Sequence, residues 1–157
     1  MQRKAKTGTP GSRLTILSAP GIVVRKDSIY RGLRLKQVGY FTQAVIDALH
    51  LPVLSGTPIM LDETNIGHMK KRHPADYKAY GCDIELILSD PDYVGQNPTD
   101  SSIEYVKEYH IDGKFMKVSV RISAKGTHFA RSIYVLNNSR VINFIAKGTL
   151  IKIADSK

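Results

Sequence analysis

Cysteine is nearly absent: Cys82 stands alone in 157 residues. A single thiol cannot close an internal disulfide, and it rules out four-cysteine and two-cysteine–two-histidine zinc sites. Cys82 therefore reads as a small core residue of a protein made in a reducing compartment. Long apolar runs are missing too, and none approaches the roughly 18 residues that a bilayer-spanning helix needs. The start, MQRKAKTGTPGSR, is basic but lacks the apolar stretch of a secretory signal. There is no internal repeat and no low-complexity tract. No carboxylate cluster resembles a two-metal nuclease site, and no glycine-rich lysine loop is present to cradle nucleotide phosphates. Acidic residues are scarce, with 14 Asp+Glu against 23 Lys+Arg, a net charge of +9. A surplus of that size favours a polyanionic partner, nucleic acid ahead of an anionic membrane. The plainer reading is that the charge only aids solubility.

What is present divides at about residue 35. Residues 1–35 form a basic N-terminal arm, in which LTILSAPGIVVRKDSIYRGLRL reads as a short hairpin or an extended segment. Residues 36–157 read as one α+β domain. YFTQAVIDALHLP puts Phe41, Val45, Ala48 and Leu49 on one helical face, and Pro52 follows its end. LDETNIGHMKKRHP reads as a second helix that Pro74 stops, and ADYKAYGCDIELILSDP as further helix. The period then changes. In KFMKVSVRI, Met116, Val118, Val120 and Ile122 alternate with Lys117, Ser119 and Arg121, the pattern of a half-buried strand. IEYVKEY, ARSIYVL and RVINFIA look like further strands, with turns at Asp112-Gly113, Lys125-Gly126 and Asn137-Asn138. The expected fold is N-terminal helices packed on a roughly four-stranded antiparallel sheet.

Chemistry concentrates in two places. IGHMKKRHP carries His68, Lys70, Lys71, Arg72 and His73. At 100° per residue Ile66, Met69 and His73 share a stripe opposite His68, Lys71 and Arg72, and the two histidines lie about 140° apart. That excludes a paired metal site of the i, i+4 type. A histidine on an apolar stripe is ordinarily structural, and His68 ordinarily belongs to a solvated face. For His73 to act, Pro74 must turn its ring off the stripe. The second place is the sheet: Lys117, Ser119 and Arg121 on one strand, and Ser132 and Tyr134 on the next, can share a polar face. Arg131 has the wrong parity for that floor and must bend round from a strand end. Such a set suits RNA cleavage without a metal. A base takes the ribose 2′-OH proton, that oxygen attacks phosphorus, an acid protonates the leaving 5′-oxygen, and cations hold the developing charge.

The series VGYFTQAVIDALHL, IMLDETNIGHMKKRHP, LILSDPDYVG, SIEYVKEY and RSIYVL resembles phage and mobile-element nuclease-like domains. These belong to the superfamily named after the barnase, EndoU, colicin and RelE ribonucleases. The resemblance covers roughly residues 37–147. It implies metal-independent RNA cleavage, often of tRNA, by a toxin or phage effector in a host or target-cell cytoplasm, with no cofactor. Matched by position, it implies a catalytic set of His68, His73, Arg131, Ser132 and Tyr134. RNA contacts would come from Lys70, Lys71, Arg72, Lys107, Lys117, Arg121 and Lys125. An acidic immunity or antitoxin protein is the partner expected to cover such a basic face.

Two other functions fit the same sequence. One is a nucleic-acid-binding module without catalysis, with Tyr93, Tyr105, Tyr109 and Tyr134 as base-stacking candidates. The other is a phage interaction protein that needs no cleft.

Overall fold

The computed structural model describes residues 35–153. The N-terminal arm, and the hairpin or extended segment read within it, lie outside the described residues. The described chain starts with β1 (Leu35–Tyr40), α1 (Gln43–Leu49), β2 (Pro58–Asp62), α2 (Glu63–Arg72) and α3 (Pro74–Tyr80). A 3₁₀ turn (Gly81–Asp83) leads into α4 (Ile84–Ser89). Then come β3 (Tyr93–Gln96), β4 (Ile103–Tyr109), β5 (Lys114–Arg121), β6 (His128–Leu136), α5 (Asn138–Ala146) and β7 (Leu150–Lys152).

The sheet corrects the expectation of four antiparallel strands. Among the described residues it has seven, in the order β1-β2-β6-β5-β4-β3-β7, and it is mixed because β2 runs parallel to β6. Three of the four segments read as strands are there, as β4, β5 and β6, joined antiparallel. The missed strands are short or do not alternate. PIMLD has Ile59, Met60 and Leu61 all buried, so its pattern is a run and not an alternation. YVGQ and LIK are four and three residues long, too short to declare a period.

RVINFIA is the second correction. It lies in helix α5, so the helices are not all N-terminal. Its β-branched residues suggest a strand, but Val141, Phe144 and Ile145 sit at i, i+3 and i+4 and pack as one helical face. Asn137, expected in a turn, is the N-cap, and its side chain accepts from the Arg140 amide at 3.2 Å. The third correction is Cys82, which is exposed on the 3₁₀ turn.

The two sheet faces are built differently. Helices α1 to α4 cover one, burying Phe41, Val45, Met69, Ile87 and Leu88 against Ile103, Met116, Val118, Val120 and Ile133. Among the described residues the other face is covered only in part, by α5, with Val141 set among Val106, Leu136 and Leu150. Beyond α5, Ser119, Arg121 and Ser132 keep at least partial exposure. The expected parity of β5 therefore holds for Met116, Val118 and Val120 inside, and for Ser119 and Arg121 outside. Ile122 is only half-buried, at the edge of the core. Lys117 departs from the expectation and is buried.

Helix α2 is positioned from its start. Asp62 caps it, accepting from the Asn65 amide at 2.7 Å and the Asn65 side chain at 2.9 Å. Replacing Asp62 with alanine should cost about 1 kcal/mol, the usual worth of an N-cap, measured by urea unfolding. An unchanged midpoint would mean that burial of Met69 alone holds the helix.

Candidate active site

Pro74 does what the sequence required of it. It occupies the first position of α3, where its missing N–H costs no hydrogen bond. The residue before it is pushed out of helical geometry. His73 accordingly ends α2 and caps α3 at φ −137°, ψ 60°. Its amide donates to the Met69 carbonyl, and its own carbonyl accepts from the Tyr77 amide, both at 2.9 Å. The ring leaves the apolar stripe and stacks on Tyr134, with centroids 4.7 Å apart and planes at 19°. Asp76 fixes the approach from the next turn, its carboxylate accepting from the Val135 amide at 3.1 Å.

Tyr134 is also the neighbour of Lys117 across the β5–β6 ladder. The Lys117 ammonium lies 4.8 Å from the Tyr134 ring centroid, within cation–π range. Lys117 forms an ion pair with Glu104 of β4, and the two side chains are only 8% and 14% exposed. Burial works against the lysine charge, but the Glu104 carboxylate and the Tyr134 phenol outweigh it. They hold the Lys117 pKa above its ordinary value. A fixed positive charge thus lies beside the aromatic pair. Glu104, Lys117 and Tyr134 line one side of a cleft of about 410 Å³, closed on its other side by Arg140, Phe144 and Lys147.

Two pairs further along the ladder, Ser119 faces Ser132. Ser119 and Ser102 bring their hydroxyl oxygens to 3.4 Å, and Ser102 donates to Asp100 at 2.7 Å. The Ser102 hydroxyl and amide, followed by Arg121 and Arg131, hold the Asp100 carboxyl below its usual range. Both arginines therefore add to the field at this end of the open face. Arg131 does not bend round from a strand end as expected but lies inside β6: Ser119 pairs with Ser132 and Val120 with Ala130, leaving Arg131 as the extra residue of a bulge.

Other residues singled out in the sequence stand apart from this cluster. His68 is exposed on α2, about 7.5 Å along the axis from His73 at a helical rise. Lys71 and Arg72 are exposed, and Lys70 lies 5.6 Å from the Tyr77 ring centroid. All three complement the negative end of the α2 dipole. Lys125 is exposed in the β5–β6 turn. Lys107 pairs in register with Met116, on the helix-covered side, and donates to the Asp90 carbonyl and carboxylate at 2.7 and 2.9 Å. Tyr105 is buried in the core, Tyr109 donates to Asp83 at 2.9 Å, and Tyr93 packs on Phe115. Of the four tyrosines, Tyr134 is the one that lines the cleft.

Glu104, Arg140, Phe144 and Lys147 were not anticipated. Glu104 had a signal, since alternation in IEYVKEY sets it with Val106, opposite in parity to Tyr105. The other three were hidden when α5 was read as a strand. The remaining histidines have other settings. His128 is buried, accepts from the Ser123 amide at 3.0 Å, and burial lowers its pKa. His110 is exposed, and His50 ends α1 at φ 53°. Among the described residues no three His, Cys, Asp or Glu side chains gather to hold a metal ion, and no helix is long and apolar enough to cross a membrane.

No curated protein and no solved structure matches the chain. A family model does, over residues 36–143, which takes in every element from β1 to the middle of α5. By that match the chain belongs to the phage-Barnase-EndoU-ColicinE5/D-RelE like nuclease3 family.

Proposed function

We propose that this nuclease-like domain is an endoribonuclease that cleaves RNA by attack of a ribose 2′-oxygen on the adjacent phosphorus, without a metal. One observation carries the reading: Pro74 swings the His73 ring off its helix and onto Tyr134, beside the buried Lys117 charge. Imidazole exchanges protons near neutral pH, so His73 is placed to take the 2′-OH proton or to give one to the leaving 5′-oxygen. The phosphorus–5′-oxygen bond breaks as the new ring closes, leaving a 2′,3′-cyclic phosphate and a 5′-hydroxyl. Lys117 and Arg131 offset charge on the phosphoryl oxygens, and Ser132 donates to them. The other proton step falls to Tyr134 or to His68, and single substitutions of each separate the two. Lys70, Lys71, Arg72, Arg121 and Lys125 hold flanking phosphates.

The test is an RNA oligonucleotide cut by the protein, remade with one 2′-deoxyribose at the cut site. Loss of cleavage at that position alone supports the reading. Cleavage that persists there removes the 2′-oxygen from the chemistry.

Binding of RNA should also fall steeply with salt, at a slope of about −0.7 per phosphate contact on a log–log plot for single strands. Salt-insensitive binding would point instead to a protein partner. A toxin or phage-effector role, with tRNA as target and an acidic protein covering the basic face, is part of the same proposal. The non-catalytic binding module is the competing one, and RNA binding without cleavage would establish it.

A further inference from the structure

The cleft beside Tyr134 extends past the residues assigned to the chemistry. Its volume of about 410 Å³ falls in the range of about 300–1,000 Å³ typical of small-molecule sites. Helix α5 forms one wall with Arg140, Phe144 and Lys147, and the β3–β4 loop contributes Asn97. Phe144 is half-buried, and the Arg140 guanidinium lies 5.7 Å from its ring centroid. Arg140 and Lys147 are exposed, with no ion-pair partner among the described residues. Glu104 commits its Oε1 to Lys117 and, at 3.5 Å, to the Asn97 amide. Its Oε2 accepts no hydrogen bond among the described residues.

These groups form an uneven set. A free phosphate would be served by Arg140 and Lys147, but it has no use for an aromatic ring and is repelled by a carboxylate. An acidic peptide meets the same objection. A nucleotide uses all of them: an aromatic face for the base, an acceptor for its N–H edge, and cations for its phosphate.

We propose that this cleft is a nucleotide subsite in which one base stacks on Phe144 and donates an N–H to Glu104 Oε2. Its phosphate lies against Arg140 and Lys147. The inference rests on the ribonuclease reading and adds to it the place where the enzyme selects a base next to the cut. Asn97 supports that carboxylate from the β3–β4 loop, its own Oδ1 accepting from the Thr99 amide at 2.8 Å.

The test is calorimetric titration of the whole protein with the four ribonucleoside 3′-monophosphates and with inorganic phosphate, at low salt. The proteins are wild type, Arg140→Ala and Phe144→Leu, the last keeping apolar volume on the packed side of α5. Circular dichroism confirms that each is folded. The expected result is binding of nucleotides with a preference among bases, and phosphate alone binding at least tenfold more weakly. Phe144→Leu should lose about tenfold in affinity for the preferred nucleotide, in line with the worth of a base–aromatic stack. Phosphate binding as tightly as nucleotides, no nucleotide binding, or folded variants with unchanged affinity would each overturn the subsite. RNA cleavage by the wild-type protein is scored in parallel. Cleavage with no nucleotide binding removes the subsite alone, and selective binding with no cleavage keeps the subsite while the nuclease reading falls.

Discussion

His73→Ala lowers RNA cleavage by about 10²–10⁴-fold, the usual worth of a general acid–base group. The effect is expected to be that large because the backbone is arranged around this ring. His73 ends one helix and starts the next, Pro74 enforces the break, and Asp76 ties the second helix to β6. The ring is half-buried, and its replacement leaves the Met69 and Tyr77 backbone bonds in place, so the variant should fold. His68→Ala is the matched comparison, since His68 is exposed and is the other histidine to which the second proton step can fall. If His68 supplies the second proton step, its replacement also costs orders of magnitude. If it only contacts phosphate, the loss stays within several-fold and shrinks at low salt. Cleavage by folded His73→Ala at the wild-type rate would make the His73–Tyr134 stack a packing contact.

Glu104→Ala is expected to destabilise the protein by about 3–5 kcal/mol, because it leaves the Lys117 ammonium buried without its carboxylate. Both side chains are well below a third exposed, so solvent screens the pair only weakly. The size of the loss reflects the stranded charge and not the net worth of the ion pair. Glu104→Ala combined with Lys117→Met should therefore recover most of it, since methionine fills similar space without a charge. Urea unfolding of the two single variants and the double variant measures this. A Glu104→Ala loss below about 1 kcal/mol, the range of exposed pairs, would mean that water reaches Lys117. The double variant should still lose RNA cleavage, because Lys117 is assigned to the phosphoryl charge as well as to the fold.

The helical face of the sheet was legible because its strands alternate. KFMKVSVRI gives the inside and outside of β5 from period alone, and IEYVKEY and ARSIYVL gave β4 and β6. Strands buried without alternation, such as PIMLD, carry no such signal. In RVINFIA the β-branched side chains favour one conformation and the i, i+3, i+4 spacing another, and packing of Val141 against Val106, Leu136 and Leu150 favours the helix. That one misreading concealed a whole wall of the cleft. The break at Pro74 was legible as a requirement on His73. The partner of the ring was not, since stacking on Tyr134 depends on the docking of α3 against β6. The burial of Lys117 was equally hidden, because parity gives a face and cannot say what covers it. Arg131 is a mixed case: its wrong parity was visible in the sequence, but the bulge inside β6 that makes room for it was not.

The most direct measurement is to incubate the purified protein and its His73→Ala variant with total RNA and with purified tRNA in excess EDTA, and to identify the ends produced. The predicted result is cleavage by the wild-type protein alone, with 2′,3′-cyclic phosphate and 5′-hydroxyl ends. Ends bearing a 3′-hydroxyl and 5′-phosphate, cleavage abolished by EDTA, or no cleavage of either RNA with or without added metal would contradict it.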